Sequence, residues 1–289
     1  MKFLPLLIVS VLVIGSVLFA ITPTQAQTFY ITASPTAQHV RLGQLAYLAV
    51  RIYSVAGFDQ PVTLSTDLGA GFSASFSPAL VTPPRGGYAY SSLSILVPGG
   101  YSLGVVNFYV QGTGGGVTQQ TPVALTLVAS SDPDYTLYVT TTQITAGSYG
   151  YVDVTATVQV TYASIQTIDF AIPDPPPGLT GTFSPDLMRL NSLAGSTNIS
   201  RLTLYAASSA QAGTYYFAIT AFNGSRTRCV VGSVNVLVPD FQISSDPTSR
   251  SIKQGESTEY TITAESVAGF SGTVSLTKSW VTTTPSGIT

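Results

Sequence analysis

The chain has 289 residues, 45% of them hydrophobic, yet only 8% are charged, and its formal net charge is −2. Globular chains usually carry about 25% charged residues. There is neither the basic patch that nucleic acid requires nor the polybasic cluster that binds an anionic membrane surface, so both partners are excluded. The apolar content is high enough to offset chain entropy by burial, which excludes a disordered chain.

Residues 1–26 read as a secretory signal peptide, with Lys2 as a minimal positive region, an apolar stretch from Phe3 to Ile21, and Ala26 at the cleavage position. The apolar stretch is also long enough to serve as an uncleaved N-terminal anchor. Either way the remaining chain is expected to be extracellular or at the cell surface. No Glu occurs before Glu256, and no Lys between Lys2 and Lys253. Long surface helices are built from such residues, whereas here the polar positions go to Ser, Thr, Gln, Asn and Tyr. With 26 Gly and 18 Pro, this composition predicts short strands joined by turns.

The first such unit is assigned to 27–132. Leu48, Val50 and Ile52 alternate with polar residues and predict a half-buried strand, and further strands are predicted at Val62/Leu64, Leu93/Ile95/Val97, Val106/Phe108/Val110 and Val123/Leu125/Leu127. Gly114-Gly115-Gly116 reads as a hairpin tip, since no helix follows to make it a phosphate cradle. His39, the chain's only histidine, is expected in a solvated turn before Gly43.

A second unit is assigned to 133–239. Gly71-Phe72 and Phe76-Ser77-Pro78 return as Gly178-Leu179 and Phe183-Ser184-Pro185, 107 residues on. Tyr215-x-Phe217 resembles a tyrosine corner. Asn198-Ile199-Ser200 and Asn223-Gly224-Ser225 are glycosylation sequons. Cys229, the only cysteine, cannot form an internal disulfide and reads as a small buried hydrophobe on a strand.

A partial third unit is assigned to 240–289. Phe29, Ile31, Pro35, Val40 and Gly43 recur as Phe241, Ile243, Pro247, Ile252 and Gly255, every pair 212 residues apart. The register continues through Ser54-Val55-Ala56-Gly57-Phe58 against Ser266-Val267-Ala268-Gly269-Phe270. Tyr135, near the midpoint of this offset, starts the middle copy, which departs from the others at the Pro-rich stretch Pro173–Pro177. About seven strands in about 106 residues is the arithmetic of an immunoglobulin-type sandwich. The fold class is therefore all-β: tandem immunoglobulin-like antiparallel sandwiches, two complete and one truncated.

Gly-Phe-Ser-Gly-x-Val-x-Leu at Gly269–Leu276, Phe-Ser-Pro at Phe76 and Phe183, and Gly-Thr-Tyr at Gly213 resemble the extracellular immunoglobulin-like repeats of prokaryotic surface proteins and secreted hydrolases, including the NPCBM-associated type. The resemblance implies a spacer, stalk or adhesive module without catalytic residues of its own. Its alternatives are a non-catalytic accessory region, including a carbohydrate-binding one, of a larger secreted protease or glycoside hydrolase, and a filament subunit whose incomplete third repeat takes a strand from a second copy. Expected partners are a cell-surface polymer, a glycan or another surface protein. No cofactor is expected, because no nucleotide fingerprint, HExxH motif or zinc ligand set occurs. Asp132, Asp134, Asp240 and Asp246 cluster at the two repeat junctions and are weak Ca²⁺ candidates, strand-end caps being the alternative.

Overall fold

A computed structural model describes residues 26–279, and all of the regular structure in it is β. The sequence-predicted signal, apart from Ala26, lies outside the described residues. No helix among them is long and apolar enough to cross a membrane.

In the first repeat the strands are β1 Thr28–Ser34, β2 Ala37–Arg41, β3 Leu45–Val55, β4 Val62–Thr66, β5 Ser73–Ser77, β6 Leu80–Val81, β7 Tyr88–Leu96, β8 Gly104–Gly114 and β9 Val117–Val128. The second comprises β10 Asp134–Val139, β11 Thr142–Thr145, β12 Tyr149–Val160, β13 Gln166–Ala171, β14 Leu179–Ser184, β15 Leu187–Leu190, β16 Thr197–Ala206, β17 Gly213–Phe222 and β18 Thr227–Leu237. The third contributes β19 Asp240–Asp246 and β20 Thr261–Val267.

Both complete repeats share one topology. A four-stranded sheet, β1-β3-β7-β5 or β10-β12-β16-β14, faces a five-stranded one, β2-β9-β8-β4-β6 or β11-β18-β17-β13-β15. This is the order of an immunoglobulin-type sandwich, with two short strands per repeat beyond the seven that periodicity predicts. One of them, β2 or β11, runs parallel to β9 or β18. The other, β6 or β15, follows the Phe-Ser-Pro step that carries the chain from one sheet to the other.

Alternation places the core where the sequence predicts it. Leu48, Val50 and Ile52 of β3 are sealed against Leu93, Ile95, Val110 and Leu125, while Val152, Val154, Ala156 and Val158 of β12 do the same in the second core. Full burial of each such aliphatic side chain contributes roughly 1.5–3 kcal/mol. The recurring Val-Ala-Gly-Phe peptide is a tight turn: Ala56 and Gly57 both have positive φ, as do Ala268 and Gly269. It delivers Phe58 onto Phe29 at 5.0 Å and Phe270 onto Phe241 at 5.2 Å. The second repeat lacks this turn, and its Tyr135 instead donates from its hydroxyl to the Ala221 carbonyl at 2.6 Å.

The Tyr215 hydroxyl donates to the Gln211 carbonyl four residues upstream at 2.8 Å, which is a tyrosine corner. Gly114–Gly116 forms the β8–β9 hairpin tip. In the third repeat β19 and β20 make a two-stranded ribbon with Ile243 and Ile262 exposed.

Candidate functional site at the junction of the first two repeats

Among the described residues, most ion pairs lie where the first two repeats meet. Five residues, 129–133, link β9 to β10, so the second sandwich is held close to the first. Its β17 and β18 pack against β2, β3 and β7. Ala49 of β3 meets Ala218 and Cys229 in a small apolar cluster, and Tyr90 of β7 stacks near Tyr215 with ring centroids 5.1 Å apart. Burial pushes the Cys229 thiol well above the usual range, so it is held as an unreactive thiol.

Two groups of ion pairs flank this contact. In one, Arg51 of β3 reaches both Asp174 carboxylate oxygens at 2.7 and 2.8 Å and the Pro175 carbonyl at 3.3 Å. The Pro-rich stretch that distinguishes the second repeat thus supplies a junction contact. In the other, Asp134 accepts from the Arg228 Nε at 2.7 Å and from the Arg228 Nη2, with both side chains buried. A bulge between Asp134 and Tyr135 breaks the alternation of β10 and turns both side chains inward. Arg41 of the first repeat lies 3.9 Å from Asp134, and Arg226 pairs with Asp132 at 2.8 Å.

His39 corrects the sequence reading. It lies on β2 rather than in a solvated turn, half-buried, with its Nδ1 accepting the Thr227 N–H at 3.2 Å and its carbonyl accepting from Arg228. Burial, then the positive charges of Arg228 and Arg226, lower its pKa from the ordinary histidine value, while Asp134 opposes them. The folded junction therefore favours neutral His39. Its contribution is present above the ordinary value of about 6.5 and is lost as pH falls through that value toward the lower folded one. Thermal stability at pH 5 relative to pH 7.5 is expected to drop more for the native chain than for His39→Gln; equal drops would show that His39 carries none of the acid sensitivity.

The other candidates separate. Asp132 and Asp134 are taken up by arginines, Asp240 caps its own strand by accepting the Phe241 N–H at 2.8 Å, and Asp246 is exposed. No group of three or more His, Cys, Asp or Glu able to hold a metal occurs among the described residues. Asn198 is exposed, with its amide donating to the Arg189 carbonyl at 2.8 Å. Asn223 is half-buried and organises the β17–β18 turn: its Oδ1 accepts from the N–H groups of Ser225 and Arg226, and its amide donates to Gln166 at 3.0 Å and Tyr162 at 3.3 Å. The Tyr162 pKa is pushed up to about 12, chiefly by burial.

The junction also encloses an open cleft of about 460 Å³. One wall is the segment from Thr82 to Tyr90, the other Pro177–Gly178 with the loop from Ser209 to Tyr215.

No family model matches the chain, and no curated protein matches its sequence. Among solved structures it is similar to domains 4–9 of surface layer protein SbsC, with TM-score 0.32 and 13% identity over 74% of this chain and 32% of that one. It is also similar to the fibronectin(III)-like modules of Clostridium thermocellum CbhA, with TM-score 0.23 and 11% identity over 72% and 94%. A protein of unknown function from Porphyromonas gingivalis W83 matches with TM-score 0.27 and 13% identity over 71% and 99%. The immunoglobulin-like assignment stands on the sheet order of the chain itself.

Proposed function

We propose that this chain is a secreted or cell-surface spacer with an adhesive role, built from immunoglobulin-like repeats and without catalytic activity of its own. The observation that carries the reading is the clasped junction: a five-residue link, the ion pairs of Arg51 with Asp174 and of Arg41 with Asp134, and an apolar contact hold one sandwich on the next. Most connections between domains leave relative motion as the default, and ion pairs at both sides of a short link oppose it. The single histidine, which a nucleophilic triad would need as its base, is used in this contact. The apolar N-terminal stretch supports export, and the absence of Lys and Glu from both sandwiches fits a surface solvated by Ser, Thr, Gln and Tyr.

Spin labels at Ser75→Cys and Thr182→Cys, exposed positions on different repeats, test the spacer reading. Buried Cys229 does not compete for label. A single narrow distance distribution is expected, broadened by Asp174→Ala. A broad distribution in the otherwise native chain would overturn the reading.

A further inference from the structure

We propose that the cleft between the first two repeats binds a neutral oligosaccharide, with a row of tyrosines continuing the site across the first repeat. Its volume of about 460 Å³ falls in the range of small-molecule sites, roughly 300–1,000 Å³. None of its lining residues is Asp, Glu, Lys, Arg or His. The nearest charges, Arg51 over the Tyr88 ring at 5.4 Å and Arg85 on the wall segment, are paired with Asp174 and Asp59, so a charged ligand entering the cleft would lose hydration without meeting a free counter-charge, which selects against sulfated or uronic sugars and acidic peptides. What the walls offer is the tyrosine rings of Tyr88, Tyr90 and Tyr215 together with the hydroxyls of Thr82, Ser209 and Thr214 and the Gln211 amide. Apolar ring faces beside convergent neutral hydrogen-bonding groups fit a pyranose, which presents C–H groups on its faces and hydroxyls around its rim.

A sugar hydroxyl both donates and accepts, so it satisfies the Gln211 amide and the wall hydroxyls alike; a proline-rich peptide lacks most of the donors. A further observation, the tyrosine row, points to the same ligand. The aromatic surface also continues beyond the cleft. Tyr30, Tyr53 and Tyr88 stand directly opposite one another on β1, β3 and β7, on the face away from the core, with successive ring centroids 4.8 Å apart. Tyr90 and Tyr215 extend this row into the cleft. A track of this kind holds more than one sugar unit, so affinity should rise with oligosaccharide length.

The proposal names a ligand for the adhesive part of the spacer reading, on which it rests only in that respect. Its failure is separable, because the spin-label distribution does not depend on sugar. Saturation-transfer NMR and titration calorimetry on residues 27–289 would use neutral hexasaccharides of β-1,4-glucose, β-1,4-mannose, α-1,4-glucose and β-1,4-N-acetylglucosamine, with a sulfated hexasaccharide and decaproline as the competing classes. At least one neutral sugar is expected to bind, more tightly as hexamer than as dimer. Tyr88→Ala and Gln211→Ala should each weaken it at least tenfold, whereas Tyr138→Ala, an exposed tyrosine on the second repeat, should leave it unchanged. Gln211→Ala keeps the backbone carbonyl that Tyr215 uses, so its effect does not depend on the tolerance of the Tyr88 site. Absence of binding to all four neutral sugars at millimolar concentration, preference for the sulfated sugar or decaproline, or equal loss in Tyr138→Ala overturns the proposal.

Discussion

Replacing Asp134 by alanine is expected to cost about 3–5 kcal/mol, the usual penalty for removing one partner of a buried ion pair. Asp134 is 2% exposed and Arg228 8%. Without the carboxylate, the Arg228 guanidinium would face Arg41, whose Nε is already buried without a hydrogen-bond partner, and both charges would lie too deep for water to compensate. By the typical sensitivity of domains of this size, the second repeat should melt lower by more than about 10 °C. Calorimetry provides the measurement, and two comparisons give it meaning. Asp153→Ala, which removes an exposed pair with Arg201, should change little. Asp134→Leu with Arg228→Met should recover part of the loss, because the buried Arg228 charge is then gone and only Arg41 keeps an unpaired one. A loss in Asp134→Ala no larger than in Asp153→Ala would show that water reaches this pair.

Phe217→Ala should be comparably severe, again about 3–5 kcal/mol, for an unrelated reason. Phe217 sits on β17, fully buried, and pairs directly with Gly232 on β18. A Cβ at Gly232 would lie 2.9 Å from two atoms of the Phe217 ring, so the ring covers the bare glycine backbone and occupies the space a side chain there would take. Truncation opens a void lined by Ile219, Tyr215 and their neighbours, which rigid paired strands can only partly close. The two sandwiches have separate cores, so the melting transition of the first repeat should move far less than that of the second. A uniform shift of both would mean that the repeats unfold as one cooperative unit.

The repeats and their strand phase were legible in the sequence because they rest on pattern alone: residues recurring at one fixed offset, and alternation at a period of two. The turn at Ala56-Gly57 and the Phe29–Phe58 contact it makes were not read, because Ala rarely takes a positive φ and the two rings are 29 positions apart. The tyrosine corner was legible, its donor and acceptor being four residues apart. The junction was not. His39 and Thr227 are separated by 188 positions, so nothing near His39 distinguishes a strand residue at an interface from a residue in a polar turn. The aspartates at 132 and 134 invite a calcium reading when only oxygen ligands are counted. Their real partners lie in a matching spacing 94 residues on: Asp132-Pro133-Asp134 faces Arg226-Thr227-Arg228, acid to base at both positions. In a chain with so few charges, two such equally spaced pairs are a signal that periodicity and motif searches pass over. The cleft, formed by neutral loops of two different repeats, carries no sequence signal at all.

The parallel pairing of β2 with β9 and of β11 with β18 has a mechanical consequence. In each sandwich the entering end of the chain is hydrogen-bonded lengthwise to the departing end, Ala37–Arg41 beside Ala124–Val128 and Thr142–Thr145 beside Val234–Leu237. Tension drawn through the ends of a repeat therefore shears this ladder along the strand axis, loading its rungs together instead of peeling them apart in succession. A stalk made of such units yields little until a whole rung set gives way, and that threshold is set by the shortest paired strand in the array rather than by the size of either core.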